Sequence, residues 1–170
     1  MTVATIRMII RQVNDFFVKR RSDHDKIYKD SEMEIEAFLL CDCATVSGGK
    51  LNVLGAFDII WAKQMPAVHP TCAVVTRARF SKFEEGMHDV RITIIDEDGN
   101  IVGPDLKDNI SITVPPNEDS ISRNLILNIH GIRFNKSGQY RIDLSIDNQQ
   151  VGSLPIKVRE VPKHPSPENN

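Results

Sequence analysis

Three segments between Ser120 and Glu160 alternate apolar with polar residues. They are Leu125, Leu127 and Ile129; Ile142, Leu144 and Ile146; and Leu154, Ile156 and Val158. A period of two gives each segment one buried and one wet face, as in a strand of a sheet packed against another layer. Upstream, Glu34–Val46 is nearly continuous in apolar residues and is followed by Ser47-Gly48-Gly49-Lys50 and then by Leu51–Ala62. Paired glycines between β-rich runs predict a two-residue hairpin, because both turn positions need positive φ. The register then places Val46 opposite Leu51, Ala44 opposite Val53, Leu40 opposite Phe57 and Asp42 opposite Gly55. A carboxylate on that apolar face belongs at a sheet end or in a bulge, or accepts main-chain N–H groups.

After Pro66 and Pro70 the pattern predicts strands over Cys72–Phe80 and His88–Asp96, the second closing on an Asp98-Gly99 turn. A short partner near Asn100–Val102 follows, and then Ile110–Val114, which Pro115-Pro116 ends. Eight or nine antiparallel strands with no helical pattern between them predict an immunoglobulin-like β-sandwich over 34–160. The run Phe134-Asn-Lys-Ser-Gly138-Gln-Tyr140 has the form of a tyrosine corner, in which the Tyr140 hydroxyl reaches the main chain around Asn135–Ser137.

The flanks differ from this middle. Residues 1–32 step Val3, Ile6, Ile10, Val13 and Phe17 at helical spacing, with Arg7, Arg11, Lys19, Arg20 and Arg21 on the polar face. Such a basic amphipathic helix suits a membrane surface, a place on the sandwich or on a partner, or a segment foreign to the native protein. The last is the expectation, because Met33 stands immediately before the first strand. Val161–Asn170, with Pro162, Pro165 and Pro167, is expected to be a disordered tail.

A chain of 170 residues suits one domain, and at about this length a core needs neither disulfide nor metal. The formal charge of −2 supplies no general attraction for nucleic acid, and no apolar run reaches the roughly 20 residues of a membrane span. Charge divides at the same border: seven basic against five acidic residues over 1–32 (+2), fourteen against eighteen over 33–170 (−4). Cys41 and Cys43 cannot bridge one another along a strand, and three cysteines cannot all pair, so a reducing, cytoplasmic setting is expected.

The stretch Leu39-Leu-Cys-Asp-Cys-Ala-Thr-Val-Ser-Gly-Gly-Lys-Leu-Asn-Val-Leu-Gly-Ala-Phe-Asp58 resembles an uncharacterised bacterial family of small proteins, a domain of unknown function. Its most specific piece is Gly49-Lys50-Leu51 with Gly55 four residues on. The likeness continues through Trp61, Pro66–Pro70 and Gly138-Gln-Tyr140, covers about 34–160 and leaves residues 1–32 outside. The resemblance implies a β-sandwich in a bacterial cytoplasm, and no reaction, ligand or catalytic residue. Cys41 and Cys43 fall where small residues are expected, which makes them packing substitutions.

Candidate chemistry is sparse. Cys41, Cys43, Cys72 and five histidines invite zinc, but Cys-x-Cys within a strand is not a zinc knuckle, and free cysteines usually pack in cores. Asp96-Glu97-Asp98-Gly99-Asn100 is acidic, yet it lacks the spacing of a calcium loop and suits a hairpin tip. No nucleophile elbow or phosphate loop occurs, and His69 and His130 stand without catalytic company. Asp58, Trp61, Lys63 and His69 bracket the end of the second strand and its Pro-punctuated loop, and form the candidate binding site. The only Trp is either a partner anchor or, the plainer reading, a plug at one end of the sandwich.

The expectation is a non-enzymatic binding or accessory module with no cofactor, engaging an unidentified protein through loops or a sheet edge. The alternative is a small-ligand or metal-dependent enzyme with its site on loops at one end. Membrane contact would depend on residues 1–21 alone.

Overall fold

The computed structural model describes residues 33–162. The helix expected over 1–32 lies outside them, as does the tail expected over 161–170 apart from Val161 and Pro162. Nine strands occur among the described residues. They are β1 (Glu34–Ser47), β2 (Lys50–Ala56), β3 (Ile59–Ala62), β4 (Ala67–Ser81), β5 (Gly86–Asp96), β6 (Leu106–Ile112), β7 (Ser120–Phe134), β8 (Gly138–Ile146) and β9 (Gln149–Glu160). A single 3-10 turn, Lys82–Glu84, joins β4 to β5. The order is β2-β1-β4-β7 in one sheet and β3-β9-β8-β5-β6 in the other.

The hairpin register follows the two glycines. Val46 faces Leu51 and Ala44 faces Val53, with Gly48 at φ +55° and Gly49 at φ +74° in the turn. Three sequence expectations need correction. Leu51–Ala62 is two strands in different sheets, because the chain bends out of the first sheet after Gly55. Not every pair is antiparallel, since β3 runs parallel to β9. The short strand near Asn100–Val102 is only a bridge between Ile95 and Ile101, and the following strand begins earlier, at Leu106. β4 also extends back through Pro70, which is tolerated because β1 pairs with β4 only as far as Ala73 and Pro70 therefore owes no N–H on that side.

Alternation decides the core. Leu40, Cys72, Val74, Ala78, Phe80, Ile129 and Phe134 from one sheet meet Val90, Ile92, Ile94, Ile142, Leu144 and Ile156 from the other, all nearly sealed from solvent. An early strand parallel to the last one at a sheet edge, with the corner at β8, makes the sandwich immunoglobulin-like. The Tyr140 hydroxyl donates to the Lys136 carbonyl at 2.7 Å, and its ring meets Phe134 edge-on at 4.9 Å.

The outer face of the first sheet carries a second apolar cluster. Cys41, Ala73 and Val75 are fully buried there, packed against Ala44, Leu51, Val53 and Ile126. Asn124 of β7 donates to the Gly49 carbonyl at 3.1 Å, so the hairpin tip reaches across β4 toward β7. The hairpin therefore folds back over its own sheet and buries both faces of central β4. Beyond it, Glu36 gathers Arg77 (2.6 Å), Arg79 and Ser122. Partial burial opposes its charge, but the two guanidiniums and the hydroxyl hold its carboxyl below the ordinary value.

At the end of the sandwich where β4 leads into β5, His88 contacts Asp147 Oδ2 through Nδ1 and the Glu84 carbonyl through Nε2, each at 2.7 Å. Burial works against its charge, but those two acceptors outweigh it and raise its pKa above the ordinary 6.5. Asp147 shifts the opposite way, held down by His88 and by the Asp89 N–H.

Two predictions follow from these contacts. Thr76 is fully buried on the inner face and its hydroxyl has no partner among the described residues, so Thr76→Val removes an unmet polar group at nearly constant volume. It is expected to leave stability unchanged or raise it by about 1 kcal/mol in urea denaturation; a loss of that size would mean the hydroxyl is bonded. For His88, a raised folded pKa gives stability that is whole below about 6.5 and is lost as pH rises through the folded value. The stability gap between wild type and His88→Gln should therefore be widest near pH 6, with Asp147 still ionised, and should close in more alkaline buffer.

Candidate partner-binding site

The site grows from one close approach. Gly55 has φ +66°, which favours glycine, and a Cβ on it would stand 2.1 Å from Asp42 Oδ2 and force that carboxylate to move. Asp42 therefore faces Gly55 as the hairpin register requires, and it sits exposed within β1, just past the last residue of that strand that pairs with β4. Just beyond, the Phe57 N–H still donates to Leu40 of β1 at 3.0 Å, while the Asp58 carbonyl already accepts from Lys157 of β9 at 2.8 Å. The chain thus changes sheets between adjacent residues. Beside this crossing lies a cavity of about 330 Å³ lined by Asp42, Phe57, Ile59, Trp61 and His69 among others.

β3 alternates about its own axis. Ile60 and Ala62 point into the core, so Trp61 points outward and is 55% exposed. The plug reading of Trp61 is thereby corrected. The carbonyls of Asp58 and Ala62 both accept from the β9 side, at 2.8 Å each. In a parallel pair alternate residues serve one neighbour, so the main-chain groups of Ile59 and Trp61 are turned to the open edge of the sheet.

Of the four residues singled out from sequence, Trp61 and His69 line the cavity together. Asp58 and Lys63 are exposed and do not line it. Asp42 was legible only as a register oddity; its opposition to Gly55 was the signal that could have placed it in the site. His69 lies 5.5 Å from the Phe57 ring, and its Nε2 is buried without a partner among the described residues. Burial pushes its pKa below the ordinary value, against the pull of Asp42 and of a hydrogen bond to the Thr71 main chain.

Other candidate chemistry is engaged elsewhere. Asp96 accepts from the N–H groups of Asp98 (3.0 Å) and Asn100 (2.8 Å), and Glu97 and Asp98 hold Lys136 at 3.2 and 2.8 Å. These carboxylates close a turn and rim a groove of about 700 Å³. Among the described residues no group of three or more His, Cys, Asp or Glu is placed to hold a metal ion, and no helix is long and apolar enough to cross a membrane.

The cysteines divide. Cys41 and Cys72 are buried, but Cys43 is exposed, against the expectation of a packed residue. The physical reason is that β1 pairs with β4 only up to Cys41, so nothing covers the next residue on that parity. Burial raises the Cys41 thiol, and pushes Cys72 up to about 11, with smaller contributions from neighbouring thiols and Asp42. Ellman titration of native protein is expected to count one rapidly reacting thiol, Cys43, and all three only after unfolding. Fast reaction of a second thiol would contradict the double-sided burial of β1 and β4.

An all-β sandwich with an edge strand beside a small cavity of mixed polar and apolar lining is the class that fold and geometry define. The chain belongs to DUF6941, a family of unknown function, which matches residues 36–159. No curated protein matches the sequence. Among solved structures, the chain is similar to the Pseudomonas fluorescens alkylpurine DNA glycosylase AlkC bound to DNA containing an abasic site analog. That likeness has a TM-score of 0.39 and 9% identity, over 76% of this chain and 31% of that one. An immunoglobulin-like protein from Pseudomonas aeruginosa is similar with a TM-score of 0.32 and 11% identity, over 76% of this chain and 98% of that one. The chain spans less than a third of the glycosylase, and neither likeness bears on function.

Proposed function

We propose that this domain is a non-enzymatic binding module that engages a protein partner along the open edge of β3. The observation that carries the reading is the pairing of main-chain groups at Ile59 and Trp61, unused among the described residues, with an exposed indole on the same four-residue strand. Main-chain bonds at an edge supply affinity, and a large aromatic beside a recess supplies an anchor. The cavity's lining offers no Ser, Thr, Cys or Lys among the described residues, and the acidic residues around Asp96 are used to close a turn, which favours binding over turnover. The same reading assigns the domain to a bacterial cytoplasm, the setting that three free thiols favour.

The test is Trp61→Pro, which removes both the outward N–H and the indole while leaving Ile60 and Ala62 to pair with β9. Tagged wild type and variant are expressed in the protein's own cells, and recovered proteins are quantified by mass spectrometry. The expected result is a specific partner lost from the variant, with circular dichroism unchanged. Equal recovery by both forms would end the reading.

A further inference from the structure

We propose that the cavity beside β3 receives the cationic side chain, Lys or Arg, of an extended partner segment seated on that strand's open edge. The inference rests on the edge-binding reading above and names the chemistry of what binds there. A strand added to β3 would present every second side chain toward the face on which Trp61 lies. The cavity behind that face is furnished for a positive charge bearing N–H groups. Asp42 supplies a carboxylate, and among the described residues no salt bridge engages it. Among the described residues no Lys or Arg lines the cavity to neutralise it from within. Because Gly55 has no Cβ, nothing displaces the carboxylate from its place above the crossing.

The remaining lining is of the same character. Phe57, Trp61 and His69 contribute three rings, and aromatic faces attract ammonium and guanidinium groups. Burial disfavours the charged form of His69. Its Nε2 is buried with no partner among the described residues, and in the neutral tautomer protonated at Nδ1 it is a lone-pair acceptor. A carboxylate and an imidazole acceptor together call for a ligand that donates, and a neutral aliphatic side chain would leave both unmet. An anionic side chain would meet the Asp42 charge at close range.

Trp61 is the chain's only tryptophan, so its fluorescence reports on this cavity alone. The full chain is titrated with N-acetyl-lysine methylamide and, separately, with its neutral isostere N-acetyl-norleucine methylamide. The expected result is a saturable change with the lysine compound in about the millimolar range. The norleucine compound should bind about tenfold more weakly, and Asp42→Asn should weaken lysine binding by about the same factor with unaltered circular dichroism. No saturable change in wild type, equal binding of the two compounds, or undiminished binding by Asp42→Asn would overturn the proposal. Partner capture separates this from the reading beneath it. Capture that survives Asp42→Asn but not Trp61→Pro removes the cation and keeps the edge, whereas capture that survives both removes the edge as well.

Discussion

The passage of the chain from one sheet to the other at Gly55–Asp58 is the constraint on which the β3 edge and the cavity beside it depend. A side chain at Gly55 would collide with Asp42, and a chain that stayed in the first sheet would have no β3. Because the crossing takes so few residues, Phe57 still bonds to β1 when Asp58 already bonds to β9. The two sheets are tied at that margin by neighbouring main-chain groups. The price is an imperfectly filled seam, and the cavity lined by Asp42, Trp61 and His69 is that seam.

Central β4 shows how a sandwich of this size gains a second apolar layer. Its inner residues meet the opposite sheet, and its outer residues Ala73 and Val75 meet the folded-back β1–β2 hairpin. A strand covered on both faces reads as a continuous apolar run, and Cys72–Val75 does so. The same covering ends abruptly along β1, which is why two cysteines separated by one residue differ so completely in exposure.

Polar groups in the remainder of the domain mostly hold the scaffold. Glu36 gathers two guanidiniums across the first sheet, and Asp143, nearly buried on the second, accepts from Arg141 (2.9 Å) and Ser153 (2.7 Å). Asp96 caps its own hairpin, and His88 joins the 3-10 turn to the β8–β9 turn. Each of these charges has a partner with which to share desolvation. Asp42 and the Nε2 of His69 stand out against that background because neither has a partner among the described residues.

Much of the architecture was legible from local pattern. Period-two alternation marked β7, β8 and β9, and the paired glycines set the hairpin register, including Asp42 opposite Gly55. The Gly138-Gln-Tyr140 run announced the corner that Tyr140 closes on Lys136. These features depend on neighbours in the chain, and the chain order contains them. Trp61 and His69 were also within reach, since both flank one loop. What escaped was everything set by which sheet a segment joins. Leu51–Ala62 has no break in its apolar pattern, yet half of it pairs with β1 and the rest with a strand about a hundred residues later. The exposure of Trp61, the burial of Cys41 but not Cys43, and the meeting of Asp42 with His69 all follow from that choice. Pairing between distant strands is selected by the packing of whole faces against each other, and no single segment encodes its partner.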